Sequence, residues 1–271
     1  MTQAMKETIQ SFQFDLRARV SSARLCTRGL NTYRQGVRAF EYMTPKIRIM
    51  VDDLDDRLAA SRSFHLICSP KRCVELVDSL IKRREALGIH IEPWTIWEPV
   101  PDACFYTPSQ RADFDTAMDR VSLVSPNAHE LCGILGVGQP PADVQELQHL
   151  TQLTRTLSKS CIRLVVRAAH LGTLHCSQDG EVHHTHAYFA PQDAPKIVDT
   201  TGAGNMFCGA LAVALALDCT LDEAVVRGNV AAALAIEQTG LPVVAESEGV
   251  SLWNGRDVQT ALTEYRERIA A

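Results

Sequence analysis

Several features that define other classes of protein are missing from this sequence. Its 271 residues contain no Cys-x-x-Cys, no Gly-Gly pair and no basic excess, since the formal net charge is -5. No apolar run is long enough to span a bilayer, and the polar stretch 1–24 lacks the apolar core of a signal peptide. These absences predict a cytoplasmic protein that binds neither membranes nor nucleic acid.

The cysteines and the overall composition indicate an intracellular globular chain. Nine cysteines stand at irregular spacing, several of them inside apolar runs. An odd, irregular set is typical of reduced and buried thiols rather than of a disulfide framework. The hydrophobic share of 46% suits one large α/β domain or two small ones.

Short apolar runs alternate with helical patterns through the middle of the chain. This alternation predicts a largely parallel sheet with helices on both faces. The predicted strands are 63–68, 94–97, 121–124 and 162–166, and the predicted helices are 70–87, 114–120, one opening at 127, and 142–158.

The parts of the chain before and after this region do not show a regular alternation of strands and helices. A hairpin is predicted from 172–176 and 181–189, and the remainder is predicted to be mostly helical, over 205–217, 221–238 and 256–270. Before residue 51 only two weak strands are expected, at 37–42 and 46–50.

The segment 196–211 carries the strongest chemical signal. A short apolar strand, predicted at 196–198, leads into Asp199-Thr200-Thr201-Gly202-Ala203-Gly204, and a helix of small residues follows. Backbone N–H groups in such a loop can converge on an anion, and the helix dipole adds to the attraction. On glycine spacing alone, a tight turn in which the glycines serve packing is an equal alternative.

The complete string resembles the second signature of the ribokinase, or PfkB, family of carbohydrate kinases, Asp-Thr-x-Gly-Ala-Gly-Asp. The resemblance implies that Gly202, Ala203 and Gly204 form an anion hole for the transferred phosphoryl group. It implies nucleotide binding by the opening of the motif, which is Asp199, Thr200 and Thr201. Asn205 stands where the family has the aspartate that acts as catalytic base.

Asn127 and Glu130 have the spacing of the family's Asn-x-x-Glu motif, which the family associates with magnesium and phosphate. The resemblance therefore implies a nucleotide role and an indirect magnesium role for both residues. The same spacing is also that of a helix capping box, and both interpretations can hold together.

Two further positions take family roles by resemblance only. Val165 to Gly172 occupies the place of the Thr-x-Gly-x-x-Gly nucleotide motif, but Arg167 and Ala169 replace its first two residues and only Gly172 is kept. Asn229 lies where family members often contact adenine, although an ordinary polar helix residue explains it more simply.

The resemblance covers about residues 60–245 and implies an α/β fold, a ribokinase-like three-layer sandwich with a mostly parallel sheet. We expect a poorly defined segment at 1–50 and a PfkB-like domain at 51–271. The first part and the lid are expected to be missing, either in a shortened gene product or in a branch that has lost sugar binding. The stretches 44–46, 97–101 and 124–127 are most similar to the fungal maintenance-of-killer branch.

The function implied is an ATP- and Mg²⁺-dependent phosphotransferase acting on a sugar or nucleoside hydroxyl. Its activity is expected to be weak or altered, because an amide at Asn205 cannot accept a proton at neutral pH. The alternative is a catalytically inactive kinase-like protein that binds nucleotide or partners. A homodimer is one expectation for its assembly.

Overall fold

The computed structural model describes residues 3–12, 18, 21–34, 37–100, 108–137, 147–159, 163–176, 180–247 and 249–270. The chain divides into two units, residues 1–53 and residues 54–271. From the sequence, the boundary between the two segments was predicted between residues 50 and 51.

The first unit contains a helix and an antiparallel hairpin. Helix α1 is Gln3–Ser11, strand β1 is Gly29–Arg34 and strand β2 is Val37–Tyr42, with Gly29 opposite Tyr42 in the register. Strand β1 corrects the expectation that no strand precedes residue 37. The strand expected at 46–50 does not form, since the N–H groups of Ile47 and Met50 donate to side chains, those of Thr27 and Asp53.

The second unit is built on a six-stranded sheet. The strands are β3 (Ser63–Cys68), β4 (Trp94–Pro99), β5 (Leu123–Val124), β6 (Leu164–Arg167), β7 (Thr173–Cys176) and β8 (Val182–Thr185). They lie side by side in chain order. β3 to β6 pair in parallel, and β6, β7 and β8 pair antiparallel. The predicted parallel strands and the predicted hairpin are therefore confirmed as parts of one sheet.

Side chains alternate between two cores, one on each face of the sheet. Trp97 and Val124 pack into the first core, whereas their neighbours Ile96 and Leu123 pack into the second. Such two-sided burial explains why the strands are continuous apolar runs rather than alternating ones.

Helices cover both faces. They are α2 (Asp56–Ala59), α3 (Pro70–Ala86), α4 (Pro108–Met118), α5 (Ala128–Leu135), α6 (Leu147–Ser158), α7 (Ala203–Ala216), α8 (Leu221–Ile236) and α9 (Val258–Ala270). Helices α3 to α6 bury residues in the first core, and α7 and α8 in the second. Helix α9 packs on α8 through Leu262 and Tyr265. The expected three-layer α/β sandwich is confirmed.

Two expectations for the C-terminal part are wrong. Strands β9 (Val244–Ser247), β10 (Val250–Trp253) and β11 (Arg256–Asp257) form a small antiparallel sheet in a part that was predicted to be mostly helical. The apolar run at 196–198 is not a strand. The N–H groups of Ile197 and Val198 donate to the carbonyls of Ala194 and Ile236, and both side chains are exposed.

Among the described residues, no helix combines the length and the apolar character that crossing a membrane requires. The seven cysteines within them are free. Five are buried as predicted, whereas Cys26 is exposed and Cys219 is partly buried. Cys104 and Cys161 lie outside the described residues.

Candidate functional site

The glycine loop is a tight turn that opens α7. Gly202 takes the left-handed conformation, with φ 89°, immediately before the helix. The Asp199 carboxylate accepts a hydrogen bond from the Thr201 N–H at 2.9 Å, and the Ala203 N–H donates to the Thr200 carbonyl at 3.3 Å. Helix geometry provides no carbonyl partner for the next two N–H groups, those of Gly204 and Asn205. These two N–H groups therefore point outward at the N-terminus of α7, where the positive end of the helix dipole also lies.

This loop lies at the carboxyl ends of the parallel strands, which is where open α/β sheets bind ligands. Gly204 lies next to Arg167, the last residue of β6, and to Glu98, the next-to-last residue of β4. Asn127, three residues after the end of β5, pairs with Arg167 through the backbone in a parallel bridge. Charged side chains from the ends of β4 and β6 therefore lie beside the loop.

Arg167 is the most connected of these side chains. Its Nη2 donates to Glu98 Oε1 at 2.9 Å and to the Ser125 carbonyl at 3.0 Å, and it lies 3.4 Å from Glu130 Oε2. The side chain is only 12% exposed. A guanidinium held by two carboxylates and a carbonyl has a fixed orientation, so it presents a rigid positive charge beside the loop.

The Arg167 guanidinium touches the loop at Gly204. A β-carbon placed on Gly204 would stand 2.2 Å from Arg167 Nη1, far inside van der Waals contact. Only glycine admits this approach without movement of the arginine. The second glycine of the loop therefore serves the arginine contact as well as the turn.

Asn127 and Glu130 form a complete capping box at the start of α5. The Asn127 Oδ1 accepts from the Glu130 N–H at 2.9 Å, and Glu130 Oε2 accepts from the Asn127 N–H at 2.7 Å. The Asn127 amide also donates to Glu130 Oε1 at 2.8 Å. The cap predicted from their spacing is confirmed, and it holds the buried Glu130 carboxylate towards Arg167.

His65 and Cys208 lie close to Glu98 and so add to the group of polar side chains formed by Glu98, Glu130 and Arg167. His65 Nε2 lies 3.0 Å from Glu98 Oε2. The atoms of His65, Glu98 and Cys208 that are able to bind a metal ion, namely a ring nitrogen, a carboxylate oxygen and the Sγ, all lie within 4.8 Å of one another. Burial opposes protonation of His65, but hydrogen bonds and charge from Cys208 and Glu98 outweigh it and raise the pKa of the imidazole to about 9. The Glu98 carboxyl is buried too, yet His65 and Arg167 hold its pKa below the ordinary value. Cys208 is fully buried, and its Sγ lies 3.6 Å from the Ser125 hydroxyl oxygen.

The Gly172 position is structural in this fold. With φ 90°, it turns the chain from β6 into β7, and a β-carbon there would lie 2.1 Å from the Thr185 carbonyl oxygen. Ala169, which replaces a glycine of the family motif, is also left-handed, with φ 50°. The loop therefore places a non-glycine residue in a conformation that favours glycine.

Asn229 is a buried bridge between three elements. Its Oδ1 accepts from Thr173 Oγ1 at 2.9 Å, and its Nδ2 donates to the Tyr265 hydroxyl at 2.9 Å. These contacts join β7, α8 and α9, so the residue has a structural role of its own.

Comparisons with known proteins decide the family. The model of the pfkB family carbohydrate kinases matches residues 68–246. This chain belongs to that family. Protein MAK32 of Saccharomyces cerevisiae is 32% identical over 261 residues, covering 91% of this chain and 70% of the relative. The expected likeness of this pfkB protein to the fungal maintenance-of-killer branch is therefore confirmed.

Solved structures agree on the fold of this pfkB protein. A probable sugar kinase from Rhizobium etli matches with a TM-score of 0.60 at 16% identity, over 89% of this chain and 65% of that one. The Arabidopsis thaliana ribokinase complexed with ribose and ATP matches with a TM-score of 0.56 at 17% identity, over 88% and 68%. At such identities the likeness shows the fold alone.

Direct coordination of Mg²⁺ by the Asn127–Glu130 pair of this pfkB protein would compete with hydrogen bonds that the pair already makes, and its expected indirect magnesium role stays a prediction. Mg²⁺ binds through carboxylate oxygens and water in open octahedral geometry. Both Glu130 oxygens already accept hydrogen bonds from Asn127, and Arg167 lies against one of them. The Glu98 carboxylate is likewise bound on both oxygens, by His65 and Arg167. The acidic groups beside the loop are thus already matched by cations of the protein.

Sequence reasoning located the loop and the capping box but not the charged cluster between them. His65 was interpreted as part of an apolar strand, Glu98 only as part of the stretch 97–101 that resembles the fungal branch, and Arg167 only as a poor match to a motif. The available signal was a charged residue at the carboxyl end of an apolar strand, as at Glu98 and Arg167. Such residues face the ligand edge of a parallel sheet.

Proposed function

We propose that this chain binds ATP through the loop Gly202–Gly204 and transfers its terminal phosphoryl group slowly to the hydroxyl of a sugar or nucleoside. The observation that carries the proposal is the first turn of α7. The N–H groups of Gly204 and Asn205, which helix geometry leaves without an intrahelical partner, belong to a turn that lies next to the guanidinium of Arg167. Both groups favour negative charge at the same point.

The chemistry expected of these residues is positioning and charge stabilisation. Phosphoryl transfer passes through a loose transition state, in which charge on the equatorial oxygens must be compensated. The amides of Gly204 and Asn205 and the Arg167 guanidinium can provide this compensation. Asn205 is exposed at the start of α7, where the family places its base. Its amide can orient a hydroxyl by hydrogen bonding but cannot take the proton.

Asn205 also favours a second candidate function, a catalytically inactive protein that binds nucleotide or a partner. Loss of a general base costs roughly 10²–10⁴ in rate. Turnover separates the two functions. Under the first, purified protein with ATP and a panel of sugars and nucleosides forms ADP and a phosphorylated product above the blank, and under the second it binds ATP without forming either.

Nucleotide binding is tested by thermal unfolding with a matched pair of variants. ATP should raise the Tm of the unaltered protein, because a ligand of the folded state stabilises it by mass action. Gly202→Asp and Gly202→Asn share the strain of a side chain at φ 89°, so their difference isolates the carboxylate charge. We expect the ATP shift to be lost in Gly202→Asp and kept in Gly202→Asn. A missing shift in the unaltered protein at millimolar ATP would contradict nucleotide binding.

A further inference from the structure

The carboxylates beside the loop already have partners within the protein. Glu98 lies against His65 and Arg167, and Glu130 lies against Arg167 and accepts hydrogen bonds from Asn127. A divalent cation at either carboxylate would therefore compete with groups of the protein.

Arg167 has donors that its partners in the protein do not use. All of its hydrogen bonds to the described residues are made by the backbone N–H and by Nη2. Nη1 faces Gly204, and Nε is buried without a hydrogen-bond partner among the described residues. A guanidinium has five N–H donors in one plane, and a buried donor left unpaired costs free energy. The unused Nη1 therefore marks a place beside Gly204 where an oxygen of an anion can accept a hydrogen bond.

We infer that Arg167 supplies the fixed positive charge of this phosphate site, in the place where the family relies on magnesium, so that the chain binds the triphosphate of ATP without a divalent metal ion. The inference rests on the proposed function, since it concerns the same loop. A phosphate oxygen that accepts from the amides of Gly204 and Asn205 lies next to Arg167 Nη1. Glu98 and Glu130 hold the guanidinium in place, so little ordering is needed when the anion arrives.

The first experiment measures ATP binding by isothermal titration calorimetry, once in EDTA and once in excess Mg²⁺. We expect the two dissociation constants to agree within about threefold. Inorganic tripolyphosphate, titrated in EDTA, should bind as well, because the inference assigns the contact to phosphate oxygens rather than to the base.

The second experiment tests Arg167 itself. Arg167→Met alone would leave Glu98 buried without its cation and could prevent folding. The double variant Arg167→Met/Glu98→Gln removes both charges together and leaves the net charge unchanged. We expect it to fold and to lose at least about tenfold in ATP affinity in EDTA, which is about 1.4 kcal/mol.

The matched control is Arg62→Met/Asp218→Asn. It makes the equivalent pair of changes in an exposed ion pair, with Arg62 immediately before the amino end of β3 and so at the opposite edge of the sheet. It should bind ATP in EDTA like the unaltered protein.

Each outcome has a distinct meaning. Binding in EDTA that is lost in the site variant and kept in the control supports the inference. Binding that requires Mg²⁺, or binding in EDTA that survives in the site variant, overturns the inference and leaves the proposed function standing. Absence of ATP binding in both buffers overturns both.

Discussion

Arg167 and Gly204 meet so closely that a β-carbon on Gly204 would stand 2.2 Å from Arg167 Nη1. The contact joins the end of β6 to the first turn of α7. It makes the geometry of the glycine loop depend on an arginine that is itself fixed by Glu98 and Glu130. Substitution of this glycine therefore reports directly on the cluster.

Gly204→Ala should destabilise the protein even though alanine is the better helix former. Gly209, on the same helix, has open space at its β position, so Gly209→Ala should raise the free energy of unfolding by about 0.5–1 kcal/mol. In Gly204→Ala the guanidinium must move away from the helix, which disturbs its contacts with Glu98 and Glu130, and we expect a net loss of about 1–3 kcal/mol. Urea unfolding measures both. Equal stability of the two variants would show that Arg167 moves aside without cost.

Ala169→Gly should stabilise the fold. Ala169 has φ 50°, where a β-carbon costs about 1–2 kcal/mol, and glycine removes that strain. The control is its neighbour Ala168, which is buried and has φ -109°. Ala168→Gly should destabilise by about 0.5–1 kcal/mol or more through backbone entropy and the lost methyl group. A loss of stability in Ala169→Gly would contradict this account of the loop.

Deprotonation of His65 should lower the stability of the folded protein at alkaline pH. Its folded pKa of about 9 lies above the ordinary value of 6.5, so its contribution is complete below about pH 6.5 and is lost as the pH rises through 9. The free energy of unfolding should fall across this window by an amount on the order of a few kcal/mol.

His65→Gln should be less stable at pH 7, and its stability should change little between pH 7 and pH 9. His90→Gln changes an exposed histidine and should keep the slope of the unaltered protein. Chemical denaturation at a series of pH values measures all three proteins. A His65→Gln protein that keeps the full slope would assign the titration to another group.

Asn205→Asp should increase phosphoryl transfer. The side chain is exposed and close in shape to aspartate, so the change should not disturb folding. A carboxylate beside the loop can accept the proton of a bound hydroxyl, which we expect to raise the rate up to roughly 10²-fold. Where no hydroxyl is held, the gain should appear only as slow ATP hydrolysis, because proximity provides much of the rate.

The matched variant is Asn205→Ala, which removes the amide without adding a base. It should be no faster than the unaltered protein. Product formation from ATP with a panel of sugars and nucleosides compares the three. If Asn205→Asp and Asn205→Ala behave alike on a substrate that the protein does phosphorylate, position 205 does not limit the reaction.

The sequence alone was sufficient where short-range hydrogen bonds and periodicity decide the structure. The capping box of Asn127 and Glu130 follows from a three-residue spacing, and the strand Ser63–Cys68 from an apolar run ended by Ser69 and Pro70. The turn and the helix that follow at the glycine loop are local too, although the anion-hole interpretation came from the resemblance to the family signature. In each case the interacting groups lie within a few residues of one another.

Only the tertiary structure decided which charges meet at the loop. Arg167, Glu98 and His65 come from three different strands, and their contacts depend on strand order and register, which no local pattern encodes. The exposed turn at Ile197 and Val198 shows the same limit, because its backbone partner is the distant carbonyl of Ile236. Ion pairs and turns of this kind are fixed by how the elements pack, and packing is a property of the whole chain.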